Sequence, residues 1–350
     1  MELIIPRLPH QGPNPIPIGH MSFGFCGRNA GYSVRAILED PEDAFKALSW
    51  TAEMYQWSPM PFTPGHTVWE VLDFGGTARM PSGEYEGTLI MKTHPVETEK
   101  DVETLLPPDP RTAGRIPFAR RFAELARERG YPVFFSSRSP FTIAANLCGL
   151  ENFCRWLMRK PELCRLLMDK ALGHLFRVLD FWIEGFGAEN IWIWMSNPNE
   201  ANQLFSSRHV AAFALPFHRE YQRGLQERGL HRFGLHLCGD QNANLPVFAE
   251  ADLWPHPSIL SFGHEVSLEK AGRIFPQDII FGNLDPNLLQ IDTPQGIYDR
   301  CREIIREGSR CPGGFILAPG CGIPATAPPV NVYALTRAAQ DSIPVQESPR

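Results

Sequence analysis

The chain has 350 residues, of which 43% are hydrophobic and 21% are charged, and its formal net charge is −6. This composition is typical of a globular protein with a large core, and no stretch reaches the roughly 20 apolar residues that a membrane-spanning helix requires. Because the basic residues are scattered along an acidic chain, the sequence predicts no binding surface for nucleic acid.

Residues 1–17 contain no basic segment followed by an apolar core and a small-residue cleavage site, so we expect a protein that stays in the cytoplasm. Eight cysteines without regular spacing favour a reducing compartment over a disulfide framework. Two of them belong to a motif described below. The others are predicted to be ordinary thiols: Cys26, Cys148, Cys154, Cys164, Cys301 and Cys311.

Short apolar segments alternate with helical patterns along the chain. The first strand is predicted around 16–23, before a glycine-broken loop at 24–31 and a helix at 41–57. A second strand at 60–63 is followed by an excursion around 65–115, for which the sequence indicates no function.

The later elements are more regular. Apolar residues that recur every three or four positions predict one long helix at 161–186. The segment 191–195 is apolar on both faces, as expected of a parallel strand covered by helices. The other predicted strands are 132–136, 233–238, 259–262, 279–283 and 315–318, and the other predicted helices are 116–129, 207–228 and 293–307.

Eight strands that alternate with helices favour a parallel sheet and therefore an α/β fold. We predict a single-domain (β/α)8 barrel over residues 1–350, with a doubly wound open sheet as the alternative. Polar residues at the carboxyl ends of the strands favour the barrel, because those ends converge on one mouth. They are residues 136–138, 196–199, His236, Cys238, His264, Glu265, Asn283, Asp285 and Cys321.

The segment from Gly234 to Asp240 carries the motif His-x-Cys. On a strand, alternation places the side chains of His236 and Cys238 on the same face, and Cys321 at the end of the last strand can complete a three-ligand zinc site. Three protein ligands leave a fourth position open, as in catalytic zinc sites. The alternative for a His-x-Cys taken alone is a hydrogen-bonded histidine and a buried thiol.

Further polar residues are expected at the same mouth. Glu265, beside His264, is either a fourth zinc ligand when substrate is absent or a solvated loop carboxylate. Asp285 either orients His236 through its second ring nitrogen, contacts substrate, or caps the next helix. Asn283 is also predicted to line the cofactor site. Position alone makes candidates of Asn29, His20, His66 and Arg138, whereas Trp192 and Trp194 are predicted to be core.

Six short motifs, taken in this order, carry a resemblance that covers nearly the whole chain. They are Asn29-Ala30-Gly31, Ser139-Pro140-Phe141-Thr142-Ile143-Ala144, Gly187-Ala188-Glu189-Asn190, His236-Leu237-Cys238-Gly239, Gly282-Asn283-Leu284-Asp285-Pro286 and Gly320-Cys321-Gly322-Ile323-Pro324. On these residues the chain resembles the uroporphyrinogen decarboxylase-like barrels, and within them the zinc-dependent corrinoid methyltransferases.

The resemblance also separates two branches of that family. Decarboxylases grip the tetrapyrrole carboxylates with arginines from a motif similar to Arg-Gln-Ala-Gly-Arg, and here only Arg28 remains of it. His236, Cys238 and Cys321 instead match the zinc ligands of the methyltransferase branch. One departure concerns the substrate, because many members carry an aspartate after the fourth strand, where this chain has Ser196 and Asn197.

The methyltransferase branch implies a methyl group moved between a corrinoid carried by a partner protein and a small molecule. A thiol acceptor suits the site, because zinc deprotonates a bound thiol whose pKa is ordinarily ~8.5. The opposite direction, from a small methyl donor to the corrinoid, stays open. A metal-free decarboxylase and a non-catalytic barrel that binds a corrinoid or a tetrapyrrole are the remaining alternatives.

Overall fold

The computed structural model describes residues 16–58, 68–83 and 86–342. The strand predicted at 60–63 and the mouth candidate His66 lie outside the described residues. The strands are β1 (Thr77–Arg79), β2 (Ile90–Thr93), β3 (Val133–Arg138), β4 (Ile191–Ser196), β5 (Phe233–Leu237), β6 (Ile259–Phe262), β7 (Ile279–Leu284) and β8 (Phe315–Pro319).

Helices connect and cover these strands. In chain order they are α1 (Phe23–Asn29), α2 (Val34–Glu39), α3 (Pro41–Met54), α4 (Trp69–Asp73), α5 (Glu99–Thr104), α6 (Ile116–Glu128), α7 (Pro140–Cys148), α8 (Leu150–Arg159), α9 (Pro161–Phe186), α10 (Ser207–His209), α11 (Leu215–Glu227), α12 (Leu245–Ala251), α13 (Leu268–Ile274), α14 (Leu288–Ile291), α15 (Pro294–Gly308) and α16 (Pro329–Gln340). Among the described helices, none combines the length and apolar character needed to cross a membrane.

Strands β3 to β8 form a parallel sheet in chain order. The last strand also pairs with the beginning of the described chain, because Leu317 of β8 forms a parallel bridge with Ile18. The amide of Ser58 in turn donates to the carbonyl of Ile18 at 2.9 Å. The sheet therefore extends from β8 onto the start of the described chain, in agreement with the predicted (β/α)8 barrel and not with the doubly wound open sheet.

Alternation along the strands separates two apolar layers. Inward-facing residues form the barrel interior, and outward-facing residues pack against the helices. Trp192 and Trp194 belong to the interior, as predicted. The full interior cluster is Phe134, Trp192, Trp194, Ile259, Ile279, Phe281, Ile316 and Ala318.

The loop predicted at 24–31 is wrong, because most of it is helix α1, which also includes Phe23 from the predicted first strand. Its glycines serve close packing. A Cβ on Gly24 would lie 3.1 Å from Ala325 Cβ, and one on Gly27 would lie 2.8 Å from Ile37 Cδ1. The helix can approach its neighbours only where these side chains are missing.

Two further segments differ from the sequence prediction. The excursion contains an antiparallel pair, β1 and β2, whose strands of three and four residues are too short to show an alternating pattern. The helix predicted at 207–228 is divided by a π-helical turn, Val210–Ala214, between α10 and α11. Such turns depend on local packing that the apolar pattern does not encode.

Candidate metal centre

The carboxyl end of β5 and the chain after β8 bring the predicted ligands together. Register pairs His236 of β5 with Ser196 of β4 and with Ser261 of β6, so its side chain lies at the mouth of the barrel. Alternation gives Cys238 the same direction. One donor atom each from His236, Cys238 and Cys321 all lie within 4.8 Å of one another. The expected convergence of these three residues is therefore observed.

The geometry of the donors fits tetrahedral zinc. Two zinc–sulfur bonds of ~2.3 Å at the tetrahedral angle place the sulfurs ~3.8 Å apart. The Sγ atoms of Cys238 and Cys321 are 3.9 Å apart. The Nδ1 atom of His236 lies 2.9 Å from the Oγ atom of Ser261, whereas its buried Nε2 has no hydrogen-bond partner among the described residues. A metal ion held here would supply the partner that this nitrogen lacks, while Ser261 fixes the ring.

The pKa values of the two cysteine thiols are shifted in opposite directions. The hydrogen bond to Cys238 lowers the pKa of Cys321 well below its ordinary value, and His236 lowers it further. The same hydrogen bond raises the pKa of Cys238, and burial raises it too. The opposite shifts favour Cys238 as the donor of the hydrogen bond and Cys321 as its acceptor.

The acidic residues at the mouth lie beside this group. The carboxylate of Glu265 and that of Asp285 flank the ring of His264, at 3.6 Å and 3.8 Å from its nitrogens. Glu265 supplies no donor atom to the group of three, although its charge contributes to the raised pKa of Cys238. Its role as fourth ligand stays a prediction.

Asp285 stabilises the turn that leads into α14, although the helix has Asn287 as its N-cap residue and no side-chain cap. Its Oδ1 accepts hydrogen bonds from the backbone and side-chain nitrogens of Asn287, at 2.9 and 3.0 Å. The predicted orientation of His236 by Asp285 is wrong, because Ser261 occupies Nδ1. The reason is register: Ser261 lies on the strand beside β5, and Asp285 follows β7.

The other predicted cofactor-binding residues make structural contacts. Asn283 donates to the carbonyls of Gly263 and Val266, at 3.0 and 2.6 Å, and thereby fixes the loop that carries Glu265. Asn29 donates to Thr51 Oγ1 at 3.1 Å and so joins α1 to α3. Neither contributes to the group of three donors, and their cofactor-binding roles stay predictions.

Two mouth candidates are buried. Arg138 forms an ion pair with Glu70, with 2.9 Å between Nη2 and Oε1. His20 packs against Trp57, and burial lowers its pKa to about 4, so its ring is neutral at physiological pH.

A family model described as uroporphyrinogen decarboxylase (URO-D) matches residues 21–342, which is most of the chain. The chain belongs to the URO-D family. A solved methyltransferase from Methanosarcina mazei shares the fold of this URO-D chain, with a TM-score of 0.78 and 21% identity over 94% of both chains.

Several relatives of this URO-D chain are methyltransferases. A methylated-thiol–coenzyme M methyltransferase from Methanosarcina mazei is 26% identical over 65% of this chain, and the match spans 59% of that relative. The methylcobamide:CoM methyltransferase MtaA of Methanosarcina barkeri is 24% identical over 68% of this chain and 67% of its own length. A uroporphyrinogen decarboxylase from Trichlorobacter lovleyi is 24% identical over 68% of each chain. At the level of the family, the first two relatives support methyl transfer.

The URO-D chain also has a buried polar network that the sequence did not reveal. Gln241 donates to the carbonyl of Cys238 at 3.0 Å, and Asn244 donates to Gln241 Oε1 at 2.7 Å and to the carbonyl of Glu200 at 2.8 Å. The carboxylate of Glu200 is bound by His218 Nε2 at 2.8 Å. Because these side chains are buried, they hold the backbone of Cys238 against the chain that follows β4.

Replacing Ser261 with alanine is expected to lower zinc affinity about 10- to 100-fold, because His236 loses the hydrogen bond that orients its ring. Competition with a metal chelator measures the effect. Ser309→Ala, at the exposed end of α15, is the matched control and should bind zinc like the parent protein. Equal affinities for the two variants would show that Ser261 has no role in metal binding.

Zinc affinity is expected to rise about tenfold per pH unit between pH 7 and 8.5. The raised pKa of Cys238 means that its proton is still bound in this range and must leave when zinc binds. Calorimetry in buffers of different ionisation enthalpy should show the release of about one proton per zinc. A pH-independent affinity without proton release would contradict a protonated Cys238.

Proposed function

We propose that this protein is a zinc-dependent methyltransferase that moves a methyl group between a corrinoid carried by a partner protein and a small molecule. The observation that carries the proposal is the group formed by His236, Cys238 and Cys321, whose spacing fits zinc. Membership of the URO-D family and the methyltransferases among its relatives support it.

Each residue at the site has a distinct role in this proposal. His236 binds the metal through Nε2, and Ser261 keeps the other ring nitrogen occupied. Cys238 and Cys321 bind as thiolates, after Cys238 has lost its proton. A zinc ion held by these three residues would supply the Lewis-acid chemistry that lowers the pKa of a substrate thiol.

The substrate is proposed to be a thiol, and methyl transfer to it is the favoured direction. The names of two relatives, which contain a methylated thiol and coenzyme M, support this class of substrate. Transfer from a small methyl donor to the corrinoid is the alternative direction. A decarboxylase is less well supported, because only Arg28 remains of the arginine motif with which decarboxylases grip the tetrapyrrole carboxylates.

We also propose that the protein works in the cytoplasm. Two thiols whose sulfurs lie 3.9 Å apart need a reducing compartment to remain metal ligands.

The test uses zinc-loaded protein, methylcobalamin and a panel of thiols that includes coenzyme M. Loss of the methyl-cobalt absorption that depends on both protein and thiol is the expected result. Cys321→Ser should abolish this loss of absorption. Cys154→Ser should not, because it changes a thiol outside the metal group, which consists of His236, Cys238 and Cys321. No transfer with any thiol, combined with methylation of cob(I)alamin by methyl thioethers, would reverse the proposed direction. Inactivity in both assays would refute the proposed function.

A further inference from the structure

A cavity lies apart from the residues of the metal group, between β3, α4, α6 and α9. It encloses about 550 Å³ of empty space, including its opening to solvent. Apolar side chains form much of its wall, among them Ile116, Phe135, Leu175 and Val178. None of the three proposed zinc ligands lines it, so the cavity needs an explanation of its own.

Unpartnered polar atoms are concentrated around this cavity. The described residues contain nine buried side-chain nitrogen or oxygen atoms without a hydrogen-bond partner, and five belong to residues that line it. Three of these residues, Trp69, His174 and Trp182, are at most 5% exposed. Because buried polar atoms are nearly always paired, such a concentration indicates a missing partner. The five atoms are Trp69 Nε1, Arg115 Nε, Ser136 Oγ, His174 Nδ1 and Trp182 Nε1.

The chemistry of these atoms specifies that partner. The two indole nitrogens and Arg115 Nε can only donate hydrogen bonds, and the hydroxyl of Ser136 can donate or accept. In the neutral ring of His174, Nδ1 accepts when Nε2 donates to Asp73. Three of the five atoms are therefore obligate donors. The missing partner must therefore bring acceptor atoms, and several of them.

One guanidinium at the cavity, that of Arg115, lacks a direct contact with a carboxylate among the described residues and can bind an anion. Arg138 is neutralised by Glu70, and the Nε2 atom of His174 lies 3.2 Å from Asp73. Among the described residues, Arg115 forms no ion pair within 4.0 Å. Its Nη2 donates to the carbonyl of Leu38, and its guanidinium stacks on Trp69 and Phe118. Burial lowers the pKa of this guanidinium to about 10, while the charges of Asp73 and Glu39 act in the opposite direction.

We propose that this cavity binds a small carboxylate that carries an apolar chain or ring. The carboxylate accepts from Arg115 Nε and from the indole nitrogens of Trp69 and Trp182, and the apolar part lies against the hydrophobic wall. A carboxylate offers two oxygens and about four acceptor positions, which matches the three obligate donors. The site is independent of the proposed methyl transfer.

Benzoate is the probe, and benzamide, which has the same ring without the charge, is its control. In nitrogen-15 spectra, benzoate should shift the indole signals of Trp69 and Trp182, which Trp69→Phe and Trp182→Phe identify by their loss. Calorimetry should give benzoate a dissociation constant at least tenfold lower than that of benzamide. Each Trp→Phe variant keeps most of the ring but loses a donor, and should weaken benzoate binding about three- to tenfold.

Arg115→Met keeps the apolar stem and should weaken benzoate binding at least tenfold. Arg111→Met, which removes an exposed arginine paired with Glu184, is the matched control and should leave binding unchanged. Cys238→Ser should bind benzoate normally, which separates this site from the metal centre. Unshifted indole signals at millimolar benzoate, equal binding of benzamide, or a crystal structure with only ordered water in the cavity would overturn the proposal.

Discussion

Replacing Cys238 with serine is expected to lower zinc affinity about a hundredfold or more and to abolish methyl transfer. A serine hydroxyl remains protonated near neutral pH and is a poor ligand for zinc, so two donors would remain where three are needed. Cys321→Ser should have the same effect, because the two sulfurs occupy equivalent positions 3.9 Å apart.

Metal analysis and cobalt(II) substitution measure this effect directly. The parent protein should contain about one zinc and, with cobalt, show sulfur-to-cobalt charge-transfer bands that each variant loses or weakens. Cys154→Ser is the matched control, since Cys154 is a half-buried thiol outside the group and should retain both signals. A full equivalent of zinc in Cys238→Ser would remove the basis of the proposed function.

Replacing Glu200 with alanine is expected to reduce the free energy of unfolding by about 3–5 kcal/mol. The Glu200 side chain is completely buried and accepts hydrogen bonds from Ser139, Asn197 and His218. Its removal leaves these three polar groups without their partner in a place that water cannot reach. Zinc affinity should also fall, because the same segment supports Cys238 through Asn244 and Gln241.

Denaturant unfolding measures the loss of stability. Glu200→Gln keeps the shape but not the charge, and should be less destabilising than alanine. Glu220→Ala, on the exposed surface of α11, is the matched control and should change the free energy of unfolding by less than about 0.5 kcal/mol. Equal stabilities of the Glu200 and Glu220 variants would contradict a supporting role for the buried network.

The convergence of His236, Cys238 and Cys321 could be predicted from sequence because its main determinant is local. Alternation along one strand gives His236 and Cys238 a common direction, and the barrel places the end of β8 at the same mouth as the end of β5. The register between strands is not local. Ser261 was therefore missed as the partner of His236, although it lies in a predicted strand, and Asp285 was considered instead.

The buried network was missed for a similar reason. Glu200 and His218 meet because a π-helical turn precedes α11 and sets the rotation of that helix. A helical pattern at 207–228 does not reveal such a turn, and a glutamate in a loop is normally expected in solvent. The glycines of α1 predict a loop when they are considered alone. In the structure they allow the helix to pack closely against Ala325 and Ile37.

The ligands of the metal group come from distant parts of the chain, since Cys238 and Cys321 are 83 residues apart. An unfolded chain does not hold the three donors together, so an ion bound by all of them stabilises the folded state by mass action. Free zinc at a thousand times its dissociation constant adds about 4.1 kcal/mol to the free energy of unfolding. We therefore expect the amount of this protein in a cell to follow its zinc supply, because the metal-free chain is more often open to proteases.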